Sequence, residues 1–368
     1  MPEPARPLWA GRTLAFLAIV LLALNLRTAV TALSPIVAFI TEDVPLDPLL
    51  LGVLGMLPPV SFAVAGVLAP GLTRRFGLEA VLVGACVAMV VGPVVRALAD
   101  SSLVLLGGTV LMFLGVGIGN VLLPPAVKKY FPDRIGLVTS VYATLLAVST
   151  SVPPAIAVPI ADAAGWRASL AGWALLALFA LTPWVALLVR ESRVARNAAG
   201  LSGRPAVERE GVRPAPLELS RRIRSSRVAW AMALAMGANS VNAYAMFAWL
   251  PQMLIERSGS SPAEAGALLA LYAFVGFPIS LVLPILVVRM RSAAPLVHVG
   301  AASYVLGYLG LLFLPETLIL LWVLLAGSGN LIFPLVLVLI NVRTRTPAGS
   351  VTLSGFVQGL GYLAAAFG

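Results

Sequence analysis

The residue with the most chemistry in this sequence is Arg27. It stands in the stretch Leu24-Asn25-Leu26-Arg27-Thr28-Ala29-Val30-Thr31-Ala32-Leu33-Ser34-Pro35, inside a hydrophobic run from Thr13 to Ile40. If that run is a helix entering lipid near Phe16, Arg27 stands eleven residues in, roughly 17 Å at ~1.5 Å per residue. A hydrocarbon core is about 30 Å thick, so the guanidinium starts near the midplane. Placing it there costs at least about 3 kcal/mol, and an ionisable group at that depth is by default a functional-site hypothesis. Two chemistries are open to it: attracting a substrate's negative charge or dipole, or tying helices together through backbone carbonyls. Thr31, four residues on, shares the arginine's helix face, whereas Asn25, two residues away, points elsewhere.

The other polar residues within apolar runs are neutral. Asn239, Asn242 and Tyr244 occupy a late run at a depth comparable to Asn25 and Arg27, and Tyr142, Asn120, Asn330 and Gln358 add donors and acceptors. With Arg27, Asn25 and Thr31 these are the candidate substrate-binding residues. Any of the asparagines can equally be a helix-to-helix hydrogen bond worth under about 2 kcal/mol. That role is favoured for Asn120 and Asn330, which stand beside glycines. Trp249 can stack on a planar solute or anchor a helix at an interface. All fifteen acidic residues fall in tails, loops or the ends of apolar runs. Arg27 therefore has no carboxylate partner at its own depth, and the proton-carrying acid of a proton-coupled pump is missing. The one histidine, His298, sits at a run's edge, where an interfacial hydrogen bond suffices. Cys86 is the single cysteine, which excludes an intrachain disulfide and a thiolate metal cluster and leaves packing as its role. No metal or cofactor is implied. No pairing of a catalytic acid or nucleophile with a base facing water is present, so an enzyme is not expected.

The elements that must position these residues are membrane spans. Of the 368 residues 60% are hydrophobic and 11% charged, with mean hydropathy +0.99, more apolar surface than a soluble fold covers with so few charges. Hydropathy predicts Thr13–Ile40, Leu49–Leu72, Ala80–Leu98, Leu103–Val127, Gly136–Ile160, Ala168–Val189, Val228–Ile255, Ala265–Val288, Ala294–Leu314, Leu318–Ile340 and a last span from Val351. That makes eleven, the chain stopping inside the eleventh. Met1 to Arg12 shows no cleavable signal pattern, so the first run is read as a retained span.

With the N-terminus in the cytoplasm, the inner connections carry Arg74 and Arg75, Lys128, Lys129 and Arg134, Arg289 and Arg291, and Arg343 and Arg345. The outer flanks hold only Arg96, Arg167 and Arg257, the positive-inside bias of a cytoplasmic-membrane protein. This accounts for the net charge of +10 without a nucleic-acid partner, and anchoring accounts for Lys128 and Lys129. The polar stretch 191–226 separates six spans (1–190) from five (227–368) and reads as a cytoplasmic linker, flexible or partly helical along the membrane surface. The halves repeat. Gly117, Asn120 and Pro124 recur as Gly327, Asn330 and Pro334, each displaced by 210. Parallel repeats of this kind place a substrate site between the halves near the midplane.

Several motifs together carry a family resemblance. Asn25-Leu26-Arg27-Thr28-Ala29-Val30-Thr31 resembles the N-L-R-P-A-x-T opening of the cyanate and 2-nitroimidazole transporter group of the major facilitator superfamily. Asn120 to Lys128 followed by Phe131-Pro132, Gly165-Trp166-Arg167, Trp249-Leu250-Pro251 and Ser354 to Tyr362 are similar to the same group, in the same order. The resemblance implies an all-α membrane fold of two six-helix bundles, here with the eleventh span truncated and the twelfth missing. It also implies alternating-access transport of a small polar or anionic planar solute. Efflux of neutral nitroimidazole-like or drug-like compounds, with Arg27 structural, is the alternative, and a non-transporting sensor a further one. The partners implied are that solute and the lipid bilayer, around a monomer. Two departures stand out. Thr28 replaces the proline after the arginine, a change that would straighten the first span. Arg74 stands where the superfamily's loop between spans two and three carries an aspartate, which makes Arg74, Arg75, Arg289 and Arg291 the candidate gating charges.

Overall fold

The computed structural model describes residues 12–33, 36–202, 217–260, 262–290 and 292–366, and every regular element among them is helical. The first run is α1 (Thr13–Asn25) and α2 (Thr28–Thr31), followed by the short α3 (Val37–Asp43). Then come α4 (Pro48–Phe76), α5 (Leu78–Ala97), α6 (Ser102–Tyr130), α7 (Ile135–Ser202), α8 (Leu217–Ser225) and α9 (Arg227–Ser258). The chain continues through α10 (Pro262–Phe274), α11 (Gly276–Arg289), α12 (Ala294–Phe313), α13 (Ile319–Ser328), a 3-10 turn at Gly329–Leu331, α14 (Ile332–Val342) and α15 (Pro347–Ala365).

Local chemistry sets the ends. Asp47, Ser101, Ser226 and Thr346 each accept a hydrogen bond from a backbone N–H three residues on, capping α4, α6, α9 and α15. The expected fifth and sixth spans are the two limbs of α7, folded back at Gly165, whose φ of 83° a residue with a Cβ adopts only with strain. Among the described residues seven stretches are long and apolar enough to cross a membrane: Leu49–Phe76, Leu78–Ala97, Ser102–Tyr130, Pro159–Arg193, Leu268–Val287, Ala294–Phe313 and Ile319–Val342. The expected first, fifth, seventh and eleventh spans are helical too, but broken, shorter or more polar. Their polar residues are mostly the candidate site residues, which a helix packed against protein tolerates better than one facing lipid.

The described parts of 191–226 are helical as far as Ser225. The second limb of α7 runs on to Ser202, and α8 lies against α9 and α15. Thr28 does not straighten the first span. The helix breaks at Leu26 and Arg27, with tight turns from Leu26 N–H to Ala23 O and from Val30 N–H to Arg27 O. The Thr28 hydroxyl donates to Asn25 O at 2.9 Å, which offers that carbonyl a partner other than the next helical N–H.

The molecule has a basic end, carrying Arg12, Arg74, Lys128 and Arg289, and a far end. One apolar core spans both halves toward the basic end, joining for example Leu22, Phe113 and Leu123 to Leu335, Val357 and Tyr362. Toward the far end the described core splits. Ile36, Ile40 and Trp166 pack within the first half, and Leu250, Tyr272 and Val323 within the second. The halves meet where α15 crosses α4 and α6 and where α11 packs on α7. At the first crossing the backbones touch, since a Cβ on Gly66 would lie 2.4 Å from the Gly359 Cα.

Candidate functional site

The break in the first span leaves Arg27 at a joint rather than on a regular helix, as the residue preceding α2. Its half-buried side chain reaches across to the second half. The guanidinium carbon lies 5.1 Å from the ring centroid of Phe333 on α14, a cation–π distance. The hydroxyls of Tyr244 on α9 and Tyr362 on α15 lie near it, both buried and neither in a formed hydrogen bond. Tyr362 is held from behind by Phe62 of α4, edge-to-face at 5.0 Å. One cation from the first half is thus surrounded by three aromatic side chains from the second. A phenol oxygen can accept from the guanidinium without cancelling its charge, so the cluster stays cationic.

Of the residues singled out by sequence, Arg27 and Tyr244 come together here. Tyr362 and Phe333 were missed, although each had a signal: Tyr362 follows Gln358 by four residues and Phe333 follows Asn330 by three, so each pair shares a helix face. Thr31 ends α2, and its side chain, like Ser34 and Pro35, lies outside the described residues.

The remaining candidates are placed elsewhere, mostly in hydrogen bonds that hold helices together. Asn25 is buried, donating to Leu21 O at 2.8 Å and to Leu176 O of α7 at 3.2 Å. Asn120 donates to Val116 O within α6. Gln358 donates to the Asn120 carbonyl at 3.2 Å and to Ser354 Oγ at 2.8 Å, and Ser354 donates to Val121 O at 2.6 Å, so this group stitches α15 to α6. Asn239 and Asn330 both offer Oδ1 to the Tyr304 hydroxyl, at 3.1 and 2.9 Å, an α12 residue that sequence reasoning did not single out. Asn242 donates to Ala238 O of its own helix. Tyr142 is buried in the shared core. Trp249 is 63% exposed near the far end, unlike the enclosed place that stacking on a bound solute requires.

Arg74, Arg75 and Arg289 are exposed at the basic end, with Arg75 over the ring of Phe76, while Arg291 lies outside the described residues. Toward the basic end Lys128, assigned by sequence to anchoring alone, bridges the halves. Only 9% exposed, it donates to Asn341 O at 2.7 Å, to Thr344 Oγ1 at 2.9 Å and to Thr344 O. Nothing local marks this role, because the partners are more than 200 residues away. Ser140 adds a second tie across the halves, donating to Ser280 O and Leu281 O. Lys129 acts within the first half, pairing with Glu79 at 2.7 Å and Glu191 at 2.5 Å. Arg96, placed by sequence at an outer flank, is buried in the first half and donates to Met112 Sδ.

At the far end the Gly165-Trp166-Arg167 motif holds Asp43. Trp166 Nε1 donates to Asp43 Oδ2 at 2.9 Å and Arg167 donates to the same oxygen. The indole N–H, seconded by the guanidinium, holds this carboxyl below its usual range. Among the described residues no group of three or more His, Cys, Asp or Glu side chains is placed to hold a metal ion.

Comparison with known proteins agrees with this architecture. The Major Facilitator Superfamily profile matches residues 15–368. The transporter YycB of Bacillus subtilis (strain 168), uncharacterized, is 32% identical over 354 residues, covering 95% of this chain and 83% of that protein. The 2-nitroimidazole transporter of Escherichia coli (strain K12) is 31% identical over 352 residues, 95% of this chain and 85% of that protein. The cyanate transport protein CynX of the same organism is 25% identical over 351 residues, 95% and 86% of the two chains. Among solved structures, the proton:xylose symporter XylE bound to 6-bromo-6-deoxy-D-glucose superposes with a TM-score of 0.76 at 15% identity, covering 96% of this chain and 86% of that one. The human organic anion transporter MFSD10 superposes with a TM-score of 0.68 at 16% identity, covering 98% and 92%. The chain belongs to the Major Facilitator Superfamily, a family of multi-pass membrane transporters rather than enzymes, in the group of the cyanate and 2-nitroimidazole transporters.

Proposed function

We propose that the chain is a secondary transporter that carries a small, polar or singly charged planar solute, cyanate-like in chemistry, across the cytoplasmic membrane by alternating access. The observation that carries this reading is Arg27. It is a cation contributed by one half that meets Phe333, Tyr244 and Tyr362 of the other. A planar anion fits such a place. Its charge meets the guanidinium, its edge meets phenol donors, and its face meets an aromatic ring. The two named relatives, one for cyanate and one for 2-nitroimidazole, both concern small planar solutes.

The moving units are 1–190 and 227–368, joined by 191–226. The excess of basic residues puts the basic end in the cytoplasm, together with the N-terminus. The shared core, the Gly66–Gly359 crossing and the Lys128 bridge then close the cytoplasmic side, while the split far-end cores leave the approach to Arg27 from outside. A second reading, efflux of neutral nitroimidazole-like compounds, is favoured by the aromatic lining and the 31% identical relative. In that case Arg27 is structural, held by the phenols.

The test is uptake of labelled cyanate and of a labelled nitroimidazole into vesicles carrying the purified chain. Arg27→Gln is expected to abolish anion uptake with membrane insertion intact. Persistent anion uptake in that variant removes the substrate role, and nitroimidazole flux insensitive to the substitution supports the second reading.

A further inference from the structure

Away from the central site, a groove of about 620 Å³ lies on the outer surface of the bundle between α4, α15 and the linker helix α8. It exists because α4 and α15 touch through glycine. The Gly66, Gly355 and Gly359 backbones meet at the crossing. The walls are apolar and face outward, with Val67 76% exposed and Val64, Leu68 and Leu363 also exposed. They run from Ala63 to Arg74, eleven residues along α4, or roughly 16 Å at ~1.5 Å per residue. At the basic end two arginines from different elements, Arg74 of α4 and Arg224 of α8, close the groove together with Ser220. Both arginines sit on exposed positions, and neither forms an ion pair with an acidic side chain among the described residues. The amphipathic α8 is pinned in place. Ile223 packs on the core, and the Arg224 carbonyl accepts from Trp230 Nε1 at 2.8 Å. Trp230 in turn meets Phe356, a groove residue, edge-to-face at 5.2 Å.

We propose that this groove binds one acidic glycerophospholipid, its phosphate between Arg74 and Arg224 and an acyl chain along the apolar wall of α4 and α15. The charge pattern selects the occupant. A water-soluble anion would leave the long apolar wall unused, and a neutral lipid would leave two arginines without a counter-charge. Paired cations at headgroup depth above a hydrocarbon-facing cleft match an anionic lipid at both ends. Because the lipid would contact α4, α8 and α15 at once, it braces the crossing that closes the basic end, and it ties the linker helix to both halves. The proposal needs only that the basic end face a leaflet containing acidic lipid, and it stands or falls independently of the solute carried through the centre.

The experiment uses the whole chain in nanodiscs of phosphatidylcholine with or without phosphatidylglycerol, reading co-purified lipid by native mass spectrometry and site occupancy by tryptophan quenching with brominated phosphatidylglycerol. One phosphatidylglycerol is expected to be retained in preference to phosphatidylcholine. The quenching is expected to fall in Trp230→Phe, which locates the lipid beside Phe356. R74Q/R224Q, which changes exposed side chains only, is expected to weaken phosphatidylglycerol retention about 30-fold. Val67→Trp, which fills the groove and leaves both charges, is expected to weaken it as well. Equal retention in R74Q/R224Q, no effect of V67W, or displacement of the lipid by inorganic phosphate overturns the proposal.

Discussion

At the scale of the residue, Arg27 is set apart by the kind of partner it has. A buried carboxylate would neutralise it and leave nothing for a solute to gain. Phenol oxygens and an aromatic face stabilise the cation while keeping its charge. A double-mutant cycle checks this: Y362F, which removes a buried phenol oxygen near the cation that is not in a formed hydrogen bond, should alone destabilise the purified protein by no more than about 1 kcal/mol. R27Q combined with Y362F should cost less than the two separately, because each change removes the same contact. Strict additivity in thermal unfolding would mean that the phenol does not engage the guanidinium. R27K is a sharper probe of substrate geometry, since an ammonium lacks the planar fork, and anion uptake should fall while insertion is unchanged. Arg27 and Tyr244 were readable from depth in the apolar runs. Tyr362 and Phe333 were not, because a shared helix face narrows the choice without saying which helices face one another.

At the scale of the element, two details bear on the proposed function. The break at Leu26 and Arg27 puts the guanidinium at a joint, and Thr28 maintains that break through its hydroxyl rather than through a proline ring. The crossing of α4 and α15 makes opposite demands on neighbouring glycines. A Cβ on Gly66 would meet the Gly359 Cα at 2.4 Å, and one on Gly355 would meet Gly66 O at 2.5 Å, but one on Gly359 would find Gly66 at 3.4 Å, an ordinary contact. Gly66→Ala and Gly355→Ala should therefore hold the basic end apart and slow transport severely, while Gly359→Ala stays near wild type. A cysteine at position 354 reports this: protected in the parent and in G359A, it should react with a thiol reagent in G66A, against a low background because Cys86 is buried. At the far end, Asp43 ties α3 to the turn at Gly165. Its folded carboxyl titrates below its usual value, so the tie is complete at neutral pH. It is lost as pH falls below the ordinary carboxylate pKa of about 4 and on through the lowered one. Emission from Trp166 should change over that acid range, and Asp43→Asn should remove the change.

At the scale of the whole molecule, the two halves share one core toward the basic end and keep separate cores toward the other. A transporter reverses that asymmetry in each cycle, so the ties across the basic end have to be breakable. Lys128 suits this, because its partners are two carbonyls and a hydroxyl rather than an acid buried beside it. Lys128→Met should remove about 1.5–3 kcal/mol from the closed arrangement, about a tenfold or larger shift toward the basic-end-open state. Accessibility of the same cysteine at position 354 measures it, and an unchanged labelling rate would show that the bridge does not hold the gate.

Composition and periodicity determined the lipid environment, the order of the helical runs and the repeat of Asn120 as Asn330, because each follows from chemistry within one helix or from a constant displacement along the chain. The sequence could not tell which asparagines face the centre. Asn25, Asn120, Asn239 and Asn330 look alike as sequence, and only packing shows the side chains of Asn25, Asn239 and Asn330 joining helices while that of Asn120 bonds within its own. Nor could it separate Lys128 from Lys129, adjacent residues of one type, of which one bridges the halves and the other pairs within its own. The physical reason is the same in each case. A polar side chain in a membrane protein takes its role from the partner it reaches, and that partner is brought to it by tertiary contacts far apart in the chain.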